Sequence, residues 1–126
     1  MILSGENHRN SDFARLKAQA EATPDDAEIW NRIGQVTAND LPEEAIRAFA
    51  RAAEITPEWA EPCFGLAQAL SRVGQNDAAI TAYRTALALE PKNANAHFAI
   101  ARLLEKQGAA SHAIAHFSAA ALHRPD

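Results

Sequence analysis

The first residues to test for chemistry are the histidines, because imidazole is a common zinc ligand and the usual general base near neutral pH. His112 and His116 stand four apart, a spacing that puts two imidazoles on one face of a helix. The surrounding sequence lacks the rest of a zinc site: Ala113 rather than Glu follows His112, His123 lies seven positions beyond His116, and no acidic residue falls between His112 and Arg124. The pair therefore reads as solvated histidines on a helix face, with no metal implied. His97 reads as a packed, hydrogen-bonded residue rather than a base. Cys63 is the sole cysteine, and without a basic residue within six positions on either side it reads as a small buried hydrophobe, not an activated thiolate. The chain has no Gly-rich phosphate loop, no GxSxG elbow and no paired acids that neighbouring elements would bring together. No catalytic residue, cofactor or metal is expected, so the sequence does not read as an enzyme.

Composition narrows the partners. The 126 residues are 48% apolar and 22% charged, the balance of a soluble globular chain. A net charge of −4 repels a phosphate backbone, which argues against nucleic acid. Charge is uneven: Met1 to Pro62 holds 6 basic and 12 acidic residues (−6), Cys63 to Asp126 holds 6 and 4 (+2). No stretch approaches the roughly 18 apolar residues of a membrane span. Met1-Ile2-Leu3 runs straight into polar Ser4 to Asn10 without a signal core, and one cysteine excludes an internal disulfide. A cytoplasmic chain with no membrane partner is expected.

The elements that must carry these residues follow from internal repetition. Cys63-Phe64-Gly65-Leu66-Ala67 aligns with His97-Phe98-Ala99-Ile100-Ala101, and Ala79-Ile80-Thr81-Ala82-Tyr83 with Ala113-Ile114-Ala115-His116-Phe117, at a spacing of 34. An earlier copy places Trp30-Asn31-Arg32-Ile33-Gly34 before Ala45-Ile46-Arg47-Ala48-Phe49 and is one residue shorter in its middle turn. Asp12 to Pro24 matches Ala45 to Pro57 as a half copy, with Leu16 in the Phe49 slot. The spacing predicts a flexible segment over 1–10, a partial repeat of one helix over 11–24, and full repeats over 27–57, 60–91 and 94–125.

Within each copy apolar residues recur at helical spacing, so each unit reads as two helices. Gly74 and Gly108 suit a left-handed helix end, with Asn39 serving in the shorter copy. Asp77 and Ser111 suit the caps of the second helices, Asp26 and Asn93 those of the first, and Trp59 cannot cap. Pro42 with Glu43 and Glu44 suits a first turn, and Pro24, Pro57, Pro91 and Pro125 end second helices.

These residues resemble the tetratricopeptide repeat family over roughly nine tenths of the chain. Trp30, Ile33 and Gly34, then Leu66 and Ala67, then Ile100 and Ala101 fill its first-helix slots. Ala45, Phe49, Ala52 and Pro57, then Ala79, Tyr83, Ala86 and Pro91, then Ala113, Phe117, Ala120 and Pro125 fill the second-helix slots. Cys63 and His97 depart from the aromatic first slot, and Thr37 and Leu104 from the usual Tyr. The resemblance implies an all-α, right-handed solenoid whose first helices line a concave groove for an extended peptide or partner helix. It implies a noncatalytic scaffold or adaptor. The alternative is a docking region, N-terminal or internal, of a larger enzyme such as a transferase.

Groove positions would be Glu28, Asn31, Arg32, Gln35 and Ala38 in the first repeat and Glu61, Phe64, Gln68, Ser71 and Arg72 in the second. Asn95, Phe98, Arg102, Glu105 and Lys106 follow in the third. Phe64, Phe98 and Trp59 are aromatics that the pattern does not require. With Gln68, Arg72, Arg102 and Lys106 beside them they suit an amphipathic partner with apolar anchors and acidic flanks. The slots that clamp acidic chaperone tails in this family hold Asn31, Gln35, Gly65, Asn95 and Ala99 here, which argues that subfamily down. The chain stops at Pro125-Asp126, so Ile100, Leu104, Phe117, Ala121 and Leu122 are expected to form an open apolar end that supports weak self-association.

Overall fold

The computed structural model describes the backbone of residues 4–123 and the side chains of residues 12–123. Among the described residues there are seven helices and no strands: α1 (Ser4–Ala22), α2 (Ala27–Thr37), α3 (Pro42–Ile55), α4 (Ala60–Arg72), α5 (Asn76–Leu89), α6 (Ala94–Lys106) and α7 (Ala110–His123). α2 packs on α3, α4 on α5 and α6 on α7, and each pair stacks on the next, which makes an all-α solenoid. α1 covers α2 and buries Leu16 and Ala20 in one cluster with Ile33 and Ala48. It starts at Ser4 and so takes in part of the segment expected to be flexible. Pro125 lies outside the described residues.

Local chemistry sets most of the helix ends. Asp26 Oδ1 accepts from the Glu28 N–H at 3.1 Å and Asn93 Oδ1 from the Ala96 N–H at 3.0 Å, each satisfying a donor that the first turn leaves free. Trp59 precedes α4 without a side-chain cap. Gly74 and Gly108 take φ of 85° and 81°. Their helices close in the same way: Gln75 N–H donates to Leu70 O and Ala109 N–H to Leu104 O, both at 2.9 Å, across a left-handed glycine that an L side chain would strain. Three expected ends differ. No residue other than glycine has positive φ among the described residues, so Asn39 is no left-handed terminator. α5 begins at Asn76 behind Gln75, which leaves Asp77 inside the first turn, where it accepts from Gln107 Nε2 at 2.6 Å. α7 begins at Ala110, ahead of Ser111.

The repeats are held together by one large ring set between small residues. Phe49 lies between Gly34 and Gly65, where an added Cβ would stand 2.6 Å and 2.5 Å from the ring. Ala67 and Ala99 hold the corresponding positions beside Tyr83, in the same core cluster. α3 accordingly packs on α4 more closely than α5 does on α6. The main core runs through Ala67, Tyr83, Ile100, Leu103 and Leu104. Ile100 and Leu104 are buried within it, so they do not form the open apolar end expected of them.

Candidate functional site

α6 carries the largest exposed aromatic of the first helices. Phe98 is 49% exposed, its ring meets Phe117 of α7 edge-on at 5.6 Å, and the Arg102 guanidinium stands 5.9 Å from its centroid. This follows from register: Ile100 and Leu103 turn into the core, which leaves Phe98, Arg102 and Lys106 on the opposite side. Phe64 occupies the equivalent slot on α4 but is half-buried against the main core. The stack thus treats the two rings differently. Phe98 rests edge-on against Phe117, whereas Phe64 packs on the main core.

Beside Phe98 lies a cavity of about 230 Å³ lined by Ser71 of α4, Tyr83 of α5, and Ala99, Arg102, Leu103 and Lys106 of α6. Among the described residues neither Arg102 nor Lys106 is in an ion pair. Burial pushes the Tyr83 phenol above its ordinary pKa, so it remains a donor at neutral pH.

The other expected groove residues separate. Arg32, Gln35, Gln68 and Asn95 are exposed, as a solvent-facing side requires. Arg72 is exposed as well but donates to Asn39 Oδ1 at 2.7 Å across the first two repeats. Asn31 is buried, and its Nδ2 donates to Glu61 Oε2 at 2.9 Å, so it ties α2 to α4. Its Oδ1 is the one buried side-chain acceptor without a partner among the described residues. Trp59 is not brought to Phe64 and Phe98. It lines a hollow of about 740 Å³ over the turns, with Thr23, Pro24, Asp26 and Thr56.

The histidines are arranged by the tertiary structure rather than by helix spacing. His116 pairs with His97, Nδ1 to Nδ1 at 3.1 Å, and is half-buried, while His112 is exposed. The solvated reading fails for His116 because α6 packs over it. His97 holds its aromatic slot by an equivalent bond: its Nε2 donates to Pro91 O at 3.0 Å, as the Trp30 indole N–H donates to Pro24 O at 2.9 Å. Among the described residues no group of three or more His, Cys, Asp or Glu is placed to hold a metal ion. Cys63 is buried, and burial raises its thiol pKa. No described helix is long and apolar enough to cross a membrane.

Residues 72–108 match the family model for the tetratricopeptide repeat. No curated protein matches the sequence. Among solved structures, the MamA structure labelled MSR-1 C2 is similar with a TM-score of 0.82 and 26% identity, over 92% of this chain and 67% of that one. Another MamA crystal structure gives a TM-score of 0.87 at 22% identity over 99% of this chain and 76% of that one. YrrB, described as a repeat protein of this kind with an unusual peptide-binding site, gives 0.85 at 17% identity, over 96% of this chain and 63% of that one. The chain thus spans roughly two thirds of the length of these neighbours.

Proposed function

We propose that this tetratricopeptide-repeat chain is a noncatalytic interaction module that binds a peptide or partner helix along its first helices, with Phe98 as the principal anchor. The observation that carries this reading is the half-exposed Phe98 ring, backed by Phe117 and flanked by Arg102 and Lys106. A ring buried on one edge and open on the other can take up partner surface without first leaving the core. Arg72, Arg102 and Lys106 favour acidic flanks in the partner and add steering that falls with salt. YrrB, as a repeat protein with a peptide-binding site, supports binding of this kind at the level of fold. A cytoplasmic setting fits the buried free thiol of Cys63.

Affinity capture with the wild-type chain and a folded Phe98→Ala variant tests the proposal. The substitution should cost about 2 kcal/mol of partner binding. A folded variant that keeps every partner at full strength would move the site elsewhere.

Two further readings each rest on an observation. Ile114 and Leu122 of α7 are 64% and 78% exposed, which favours weak self-association through this helix; sedimentation as a monomer at every concentration removes it. The docking region of a larger enzyme, such as a transferase, accords with the partial span of the structural neighbours; the reading frame around this sequence decides it.

A further inference from the structure

A hollow of about 520 Å³ lies between α1 and α3, on the second-helix side of the solenoid. Trp30 and Ile33 of α2 line it from the face of that helix opposite the groove positions Arg32 and Gln35. Its size suits a bulky apolar group. The Trp30 indole N–H is already committed to Pro24 O at 2.9 Å, so the ring is held in place and offers the hollow only apolar surface. Phe13 is half-buried beside it, with Lys17 Nζ 5.3 Å from its centroid.

The next copy of the repeat is an internal control. There the slots of Phe13, Lys17, Trp30, Arg47 and Arg51 hold Ile46, Ala50, Cys63, Thr81 and Thr85, and the helices still pack in pairs. The fold therefore requires neither the two rings nor the three cations that line this hollow. Arg47 and Arg51 meet only surface carboxylates, Glu44 for the first and Asp25 and Glu54 for the second, and Lys17 has no ion pair among the described residues. Exposed pairs of this kind are weak enough for an incoming carboxylate to displace.

We propose that this hollow is a second docking site, which takes a bulky apolar residue of a partner segment against Phe13 and Trp30 while an acidic residue beside it meets Lys17 and the two arginines. The three cations outnumber Glu21 and Glu44 around the hollow, in the half of the chain that carries −6 overall, and that local excess selects an acidic flank. A second copy of the chain does not fit through its exposed α7, which has no acidic residue. The site is separate from Phe98, so the module can hold partners on two sides at once.

The test is a nuclear magnetic resonance titration of the whole chain with a blocked tetrapeptide, Leu-Phe between two Glu, followed at the indole N–H signals of Trp30 and Trp59. Saturating shifts at Trp30 and not at Trp59 are expected, and Phe98→Ala should leave them unchanged. The same peptide with Ala-Ala at its centre should not bind, and with Lys in place of both Glu it should bind about fivefold more weakly. Lys17→Gln should weaken the acidic peptide about threefold, and Phe13→Ala of unchanged helical content about tenfold. No shift at Trp30, equal affinity for the Glu and Lys peptides, or binding that Lys17→Gln and Phe13→Ala both leave unchanged would overturn the site. Trp30 shifts that Phe98→Ala abolishes would return the peptide to the groove, and shifts that grow with chain concentration before any peptide is added would give the hollow to a second copy. Either result overturns the proposal and leaves Phe98 as an anchor to be judged by partner capture.

Discussion

His97 and His116 share one hydrogen bond between their Nδ1 atoms, and that bond can exist only while the pair holds fewer than two added protons. The Pro91 carbonyl can only accept, so His97 Nε2 carries a hydrogen and the neutral His97 Nδ1 accepts from His116. One proton can be added at His116 Nε2, and His116 Nδ1 still donates to His97. A second leaves two donors face to face. Burial, then His97, Arg84 and His112 lower the His116 pKa below its ordinary value.

Acid should therefore loosen the α6–α7 pair. The unfolded chain binds the His116 proton more tightly than the folded one, so the associated stability is complete above about pH 6.5 and is lost as pH falls through the lower folded value. Unfolding midpoints at a series of pH values between about 7.5 and 5 should fall, and His116→Gln should flatten that slope. An unchanged slope in the variant would assign the acid sensitivity to other groups.

Gly65→Ala should cost about 1 to 3 kcal/mol, because the new methyl would stand 2.5 Å from a buried Phe49 ring that has no room to retreat. Denaturant unfolding measures this, and Phe49→Leu in the same background should recover part of the loss. A neutral Gly65→Ala would mean that the α3–α4 junction is looser than this packing requires.

Tyr83→Ala should cost about 3 kcal/mol or more, since the ring is buried between α4 and α6 at the middle of the stack. A thermal midpoint lowered by less than about 2 °C would contradict its place in the core.

Cys63 should react with a thiol reagent only as the structure around α4 opens, because burial both hides the sulfur and raises its pKa. Labelling rates should rise in step with added denaturant. Fast labelling of the native chain at neutral pH would place Cys63 at the surface.

Phe98→Ala should leave the thermal midpoint nearly unchanged, whereas Phe64→Ala should lower it by several degrees, because only the second ring is built into the core margin. Equal stability effects would return the two rings to equivalent roles.

The sequence by itself determined the repeat period, the helix pairs, the left-handed glycines and the caps at Asp26 and Asn93. These depend on interactions within four or five residues, which a one-dimensional pattern records directly. The tertiary structure decided which side chains of that pattern meet. Asn31 and Glu61 are 30 residues apart and His97 and His116 are 19 apart, and each pair meets only because of how one helix is rotated against another. That rotation is set by volumes such as the Phe49 ring between two glycines, which no local spacing encodes. It is also why equivalent slots diverge, with Phe98 open and Phe64 half-buried, Asn31 enclosed, Trp59 drawn to the turns, and Ser71, Tyr83, Arg102 and Lys106 gathered around one cavity.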